Sequence, residues 1–444
     1  DVLGAVAAER LRRLSDPARF LAMVASLAAA AGGPPTRLAN AADRDRGEDA
    51  ARAELVSSGV MRERRDHRLR FTHDSVEIAA RTLALRDEKA VRTAVGSLVA
   101  QARGGDMRAA YAAAELLDVA GDGTVTPQTR DWVLLKAARR SLQILAPLDA
   151  MKLVERGVAV AGDDARVPLL HVGHEAAYVL GDRARMSHYY RAIASAGTML
   201  DRAQARYMWI RRNYAESRFA GAAQITARVL DMLDVVDPPI AWWDGMDEAI
   251  SYAHAVAPGG RLKRLIERGP ATDPAAEPAS KTLAHMLVPT MTSDRDRLAM
   301  IAYAMFRIAE AYGWTSYTGL GFIAWGGYLG IQRPAGAWIR SYFQCADTLA
   351  SRIGDPVARS TIRTLVTGLG SSWWLPYRDF ARELIEREQE GRSAANWEYV
   401  AHARHLHAQA MLYGGAPLER VHKEFDETRK EVETFGLGRT AHAL

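Results

Sequence analysis

The 444-residue chain has a single cysteine, Cys345. That excludes an internal disulfide and any cysteine-based zinc site, and it fits a reducing cytoplasm. A membrane-length apolar run is also missing. The longest, Phe20 to Ala30, is interrupted by Ser26 and falls short of the roughly 20 residues a spanning helix needs. No signal peptide is visible at the start, where the first turn is acidic. Gly-Lys never occurs, so the Walker phosphate loop is absent and this chain alone could not hold a nucleotide conventionally. Gly319-Leu320-Gly321 lacks the third glycine and the preceding strand of a dinucleotide fingerprint. Lysine is scarce, and arginine carries a formal net charge of +5, which is mild for the length. The best basic cluster is Arg62, Arg64, Arg65, His67, Arg68 and Arg70, broken by Glu63 and Asp66. Nucleic-acid binding needs a continuous basic stripe, so a solvated arginine-rich surface is the plainer reading.

What remains is a normal soluble composition, 48% hydrophobic and 25% charged. The length calls for two or more domains or a solenoid. The chain opens on Asp1 rather than Met, which reads as a segment of something longer. Residues 1–85 have their own grammar. A short helix at Leu11–Leu14 stops near Pro17, an Ala-rich helix runs from Phe20 to Ala30, and a third runs from Gly47 to Ser57 with Ala51 and Leu55 on one face. Val60-Met61 and Leu69–Phe71 read as a β-hairpin. Asp74 is placed to cap the next helix, with Glu77 completing a capping box. Helix, helix, helix, hairpin is the order of a winged-helix domain.

From about Lys89 onward the pattern is helical. Leu169, Gly173, Ala176 and Leu180 recur at helical spacing, with Pro168 in a first-turn position, Gly181 as the stop and Asp182 as the next cap. Met186, Tyr189, Ile193 and Gly197 follow, then Ala205 and Met208, then Ala222, Val229 and Leu233. Each helical pair spans roughly 35 to 40 residues, the range of tetratricopeptide-like repeats. The expectation is a mostly α chain: a winged-helix-like domain at 1–85, then a tetratricopeptide-like α-solenoid in two parts, 86–257 and 281–444. A loop or hinge at 258–280 separates them, and Gly370, Gly391 and Gly414 mark later turns. Solenoids expose a concave face, so binding is their usual work.

Few residues point to chemistry. His402, His405 and His407 share a helix, and His171 and His174 repeat the i, i+3 spacing, but no third metal ligand or outer shell accompanies either set. Many tryptophans fall beyond Pro239. Trp314, Trp325, Trp338, Trp374 and Trp397, with Tyr317 and Arg378, are candidates for a binding groove. Equally, they could fill helix crossings in the core. Arg307 and Glu310 are further polar candidates. No nucleophile–base pair emerges.

The segment Arg70-Phe71-Thr72-His73-Asp74-Ser75-Val76, followed by Ala79-Ala80 and Leu83, resembles the segment that closes the winged-helix domain of signal-transduction ATPases with numerous domains (STAND ATPases). Leu11–Ser15, Glu54–Val56 and Gly59-Val60 are similar to the same domain. Ala176–Asp182, Leu200–Ala203, Gly313–Tyr317 and Trp374–Asp379 resemble the helical-repeat region of bacterial multidomain histidine and serine/threonine kinases that carry such an ATPase. The resemblance implies a non-catalytic, cytoplasmic regulatory segment. His73 would sense bound nucleotide in the intact protein, since an imidazole can donate to a phosphate oxygen. ATP or ADP with Mg would belong to an upstream ATPase domain in cis, and this segment itself would carry no cofactor. Its partner would be a protein or a small-molecule inducer, not a membrane or nucleic acid. Two alternatives stand beside this: the regulatory region of a large LuxR-type transcription activator, and a stand-alone helical-repeat scaffold.

Overall fold

Polar caps and first-turn prolines set many of the helix starts. The computed structural model of the chain describes residues 2–30, 46–63, 69–120, 123–216, 218–235, 251, 261–287, 290, 297–332 and 339–434. Among these it is mostly helical, with one two-stranded hairpin. The chain divides into two units, Asp1–Leu180 and Gly181–Leu444. The expected boundaries at 85/86, 257/258 and 280/281 fall inside them.

The first unit opens with α1 (Val2–Arg12), α2 (Asp16–Ala30) and α3 (Arg46–Ser57). Pro17 does not stop a helix, as the sequence suggested. It sits in the first turn of α2, where its missing N–H removes no helical bond. Ser15 ties that start to α3, its backbone N–H and hydroxyl both donating to the Glu54 carboxylate at 2.7 and 2.6 Å. Strands β1 (Met61–Glu63) and β2 (Leu69–Phe71) pair antiparallel, with Met61 opposite Phe71. Alternation puts Leu69 and Phe71 inward and Arg70 outward. Helix α4 (Asp74–Ala84) follows. Leu11, Leu14, Leu55, Met61, Phe71 and Val76 make one core. Asp74 is not the cap: His73 holds that position with extended backbone and no side-chain bond. Asp74 lies inside the first turn, where a carboxylate suits the positive end of the helix. Glu77 pairs with Arg81 at 3.0 Å instead of returning to the cap.

Five further helices complete this unit: α5 (Glu88–Arg103), α6 (Met107–Ala120), α7 (Pro127–Gln143), α8 (Pro147–Val160) and α9 (Asp163–Val179), each packed on its predecessor. Ala109, Ala110 and Ala112 to Ala114 are buried and let α6 sit close to its neighbours. Helix α9 begins at Asp163, so Pro168 lies within it rather than in its first turn. Gly181 follows at φ 70°, a backbone state glycine adopts freely.

The second unit starts at Gly181. Asp182 caps α10 (Arg183–Ala196), accepting from the Arg185 N–H at 2.9 Å. Thr198 and Asp201 form a capping box on α11 (Met199–Ala215), which pairs with α12 (Phe219–Leu233). Then come α13 (Arg261–Glu267), α14 (Ala276–Ala284), α15 (Arg297–Tyr312), α16 (Thr318–Gln332) and α17 (Ile339–Ala350). Helix α16 is apolar on nearly every side and buried along most of its length, with Ile331 exposed near its end. Its Leu320, Phe322 and Trp325 join Phe306 and Phe343 in the main core. Helix α18 (Pro356–Leu365) runs into a π-helical turn at Val366–Gly370, followed by α19 (Tyr377–Ser393), α20 (Trp397–Tyr413) and α21 (Leu418–Thr434). Gly391 does not mark a turn. It is buried within α19, where a Cβ would stand 2.9 Å from Val400 Cγ2, so its small size sets the α19–α20 approach. The turn is made by Ala395 at φ 55°. Within 258–280, the described residues form α13 and part of α14 and are tied to the 312–314 turn. Trp314 N donates to Gly269 O at 2.9 Å, and Ala271 N to Trp314 O at 2.7 Å.

Candidate functional site

Helical periodicity gathers polar and aromatic side chains on the inner faces of three helices in the second unit. Tyr207, Arg211 and Tyr214 recur at i, i+4 and i+7 on α11. Glu277, Lys281 and His285 recur at i, i+4 and i+8 along α14 and its C-cap. Glu398 and His402 stand four apart on α20. A fourth contributor is the turn at Gly313–Thr318. Gly313, at φ 102°, lets it approach the 269–270 backbone. The Thr318 hydroxyl accepts from Thr315 N at 2.8 Å, and Glu277 accepts from Ser316 N at 2.9 Å. These bonds fix Tyr317.

The four elements meet. Arg211 donates to Glu398 at 2.9 Å, joining positions 187 residues apart. The His285 ring lies 2.7 Å from the Tyr207 hydroxyl. With His285 Nδ1–H directed at the Lys281 carbonyl (3.4 Å), Nε2 is left to accept from Tyr207. The Lys281 ammonium lies 4.6 Å from the centre of the Tyr207 ring, a cation–π distance. The His402 ring leans on Tyr399 at 5.4 Å.

Burial sets the protonation states. Desolvation pushes His285 down to about 3, against the pull of Glu398 and with the repulsion of Arg211 and Lys281. His402 is lowered by desolvation too, with Glu398 opposing. Desolvation would raise Glu398, but the Arg211 guanidinium, helped by the two histidines, holds it below its ordinary value. Tyr317 and Tyr399 are raised, first by desolvation and then by neighbouring carboxylates. At neutral pH the cluster therefore presents two cations, an ionised Glu398, neutral imidazoles and protonated phenols. Arg211 and Glu398 still keep 18% and 19% of their side-chain surface accessible. The cluster is therefore a partly exposed polar recess in the helical array, with charged tips that reach solvent.

The sequence-derived candidates separate in space. Tyr317 is in the recess. Trp314 is half-buried, with its backbone in the supporting turn, and Trp397 is half-buried one residue before Glu398. Trp325 lies in the main core, stacked on Tyr328 at 5.3 Å. Trp374 is half-buried, edge-on to Phe343 and under the Arg340 guanidinium. Arg378 is exposed, and Trp338 lies outside the described residues. Arg307 and Glu310 stand 3.9 Å apart. His73 is exposed at the start of α4. His405 meets Gln409 and His407 faces Glu424, away from any shared ligand position. Among the described residues no group of three or more His, Cys, Asp or Glu is placed to hold a metal ion. Burial raises the Cys345 thiol, the opposite of nucleophile activation. Sequence reasoning missed Tyr207, Arg211, Lys281, His285 and Glu398. The i, i+4 spacing of polar residues within otherwise apolar helices was the available signal.

No protein-family model matches the chain, and no curated protein matches it. One solved structure is similar to it, the Signal Transduction ATPase with Numerous Domains (STAND) protein with a tetratricopeptide repeat sensor from Pyrococcus horikoshii. The TM-score is 0.31 at 12% identity, covering 95% of this chain and 63% of that one. The chain thus spans less than two thirds of that protein's length.

Proposed function

We propose that this chain is a non-catalytic sensor segment of a signalling ATPase, which receives an inducer or partner in the second-unit recess and governs the nucleotide state of an ATPase core in cis. The observation that carries this reading is the recess itself: charged and phenolic groups from four elements converge inside an otherwise apolar helical array. Recognition sites have this character, a mostly apolar surround with a few placed polar groups.

The resemblance of the His73-Asp74 segment to STAND ATPases supplies the link to nucleotide. The helix–helix–helix–hairpin order of the first unit fits a winged-helix domain. His73 suits the sensor role, since its imidazole is exposed at a helix N-terminus and makes no capping bond. That end of a helix favours a phosphate. The nucleotide itself would be held by the ATPase core. Occupancy of the recess would act by shifting a population between closed and open states, and only to the extent that the inducer binds one state better. The test is removal of residues 181–444 from the parent protein. Inducer-independent ATP turnover supports the reading. Turnover that is still dependent on inducer overturns it.

A further inference from the structure

Ser15 has two duties in the first unit. It stands just before α2, where its carbonyl accepts from the Arg19 N–H at 2.9 Å and its hydroxyl from the Ala18 N–H at 3.4 Å, the bonding of an N-cap. The same residue fastens α2 to α3. Its N–H donates to Glu54 Oε1 at 2.7 Å and its hydroxyl to Oε2 at 2.6 Å, so both oxygens of one carboxylate rest on one serine. Those two bonds, the hydroxyl's first, hold Glu54 below its ordinary pKa, and the carboxylate is ionised at neutral pH.

The hydroxyl is also open to solvent. Ser15 is exposed and non-helical, and from Arg12 to Pro17 only Leu14 is buried. Arg12 and Arg13 keep 66% and 78% of their side-chain surface accessible. Both pair with Glu9, but ion pairs this exposed hold weakly. No other serine or threonine in the sequence has arginine at both two and three places before it. A hydroxyl on an exposed turn behind two guanidiniums complements an acidic peptide groove.

We propose that Ser15 is a phosphorylation site for an arginine-directed serine/threonine protein kinase, and that its modification releases α3 from α2. Ser15 Oγ attacks the γ-phosphorus of ATP. The Oγ–P bond forms as the bond to the β,γ-bridging oxygen breaks, ADP leaves, and the hydroxyl proton passes to the kinase's base. The ester oxygen then has no proton to donate to Glu54. In its place stands a phosphate of about −1.5 to −2 charge, set against an ionised carboxylate. Repulsion at this range drives Glu54 off both bonds. The phosphate itself suits the N-terminus of α2, so α2 keeps its start while α3 loses its hold.

The experiment treats the whole chain with such a kinase, ATP and Mg, maps the phosphate by mass spectrometry and follows amide hydrogen exchange in α2 and α3. Ser15 is expected to take up phosphate. Arg12→Gln with Arg13→Gln should slow that uptake about tenfold or more, the value of one charge-assisted hydrogen bond. In the phosphorylated chain, exchange across α3 should rise about tenfold while α2 stays unchanged. Glu54→Gln removes the charge and supplies an amide that can donate to the phosphate, so this variant should be phosphorylated with no such rise. No phosphate at Ser15, uptake indifferent to the two arginines, or unchanged α3 exchange after phosphorylation overturns the proposal. So does a rise in Glu54→Gln equal to that of the parent chain, because bulk rather than charge would then be the cause.

Discussion

His174 offers a sharp test of the packing account. It is 0% exposed on α9, and neither ring nitrogen has a hydrogen-bond partner among the described residues. Desolvation, with some repulsion from His171, lowers its pKa from 6.5 to about 4. Below 6.5 the unfolded chain takes up a proton that the folded chain refuses until about 4. This contribution to stability is therefore complete above 6.5 and lost as pH falls through that window, by about 1.4 kcal/mol per unit. At about pH 5 the loss from this one residue is roughly 2 kcal/mol. His174→Leu removes both the titration and two unmade hydrogen bonds. The variant should be no less stable than the parent at neutral pH, and its loss on acidification should be smaller by about 2 kcal/mol. Urea denaturation followed by circular dichroism across about pH 5 to 7.5 measures both quantities. An unchanged acid slope in His174→Leu would refute the claim that this histidine is buried neutral and unpaired.

The remaining predictions concern the supports of the recess. Gly313→Ala should destabilise by about 3 kcal/mol or more, because its Cβ would lie 2.7 Å from Pro270 O at φ 102°. Gly354→Ala, which meets open space, should stay within about 0.5 kcal/mol, and thermal denaturation separates the two. Asn396→Ala should cost about 2 kcal/mol, since its amide is directed at Val357 O, Ser360 Oγ and Thr361 Oγ1 and pins the start of α20 to α18. A loss under about 0.5 kcal/mol would show that those bonds do not hold α20 in place.

Local signals in the sequence foretold local structure. The hairpin, the Asp182 cap and the buried faces around Leu169, Met186 and Ala222 follow from strand-forming residues, capping chemistry and helical spacing. Boundaries misled where one residue type serves two purposes. A proline can end a helix or open one, as Pro17 does. A glycine can bend the chain or permit close approach, as Gly391 does beside Val400. Tryptophan was ambiguous for a related reason, since a large ring suits a groove and a core alike, and Trp325 belongs to the core. The recess was legible only in fragments. Each helix shows its own i, i+4 polar pair, but nothing local reports that Arg211 reaches Glu398, which are separated by 187 positions.

The regulation proposed above, of an attached ATPase's nucleotide state through His73, is open to direct test. The most direct measurement is the molar ratio of ADP retained by the purified parent protein, wild type against His73→Ala. Loss of retained ADP together with raised basal output is the predicted result. Unchanged ADP occupancy in the variant contradicts it.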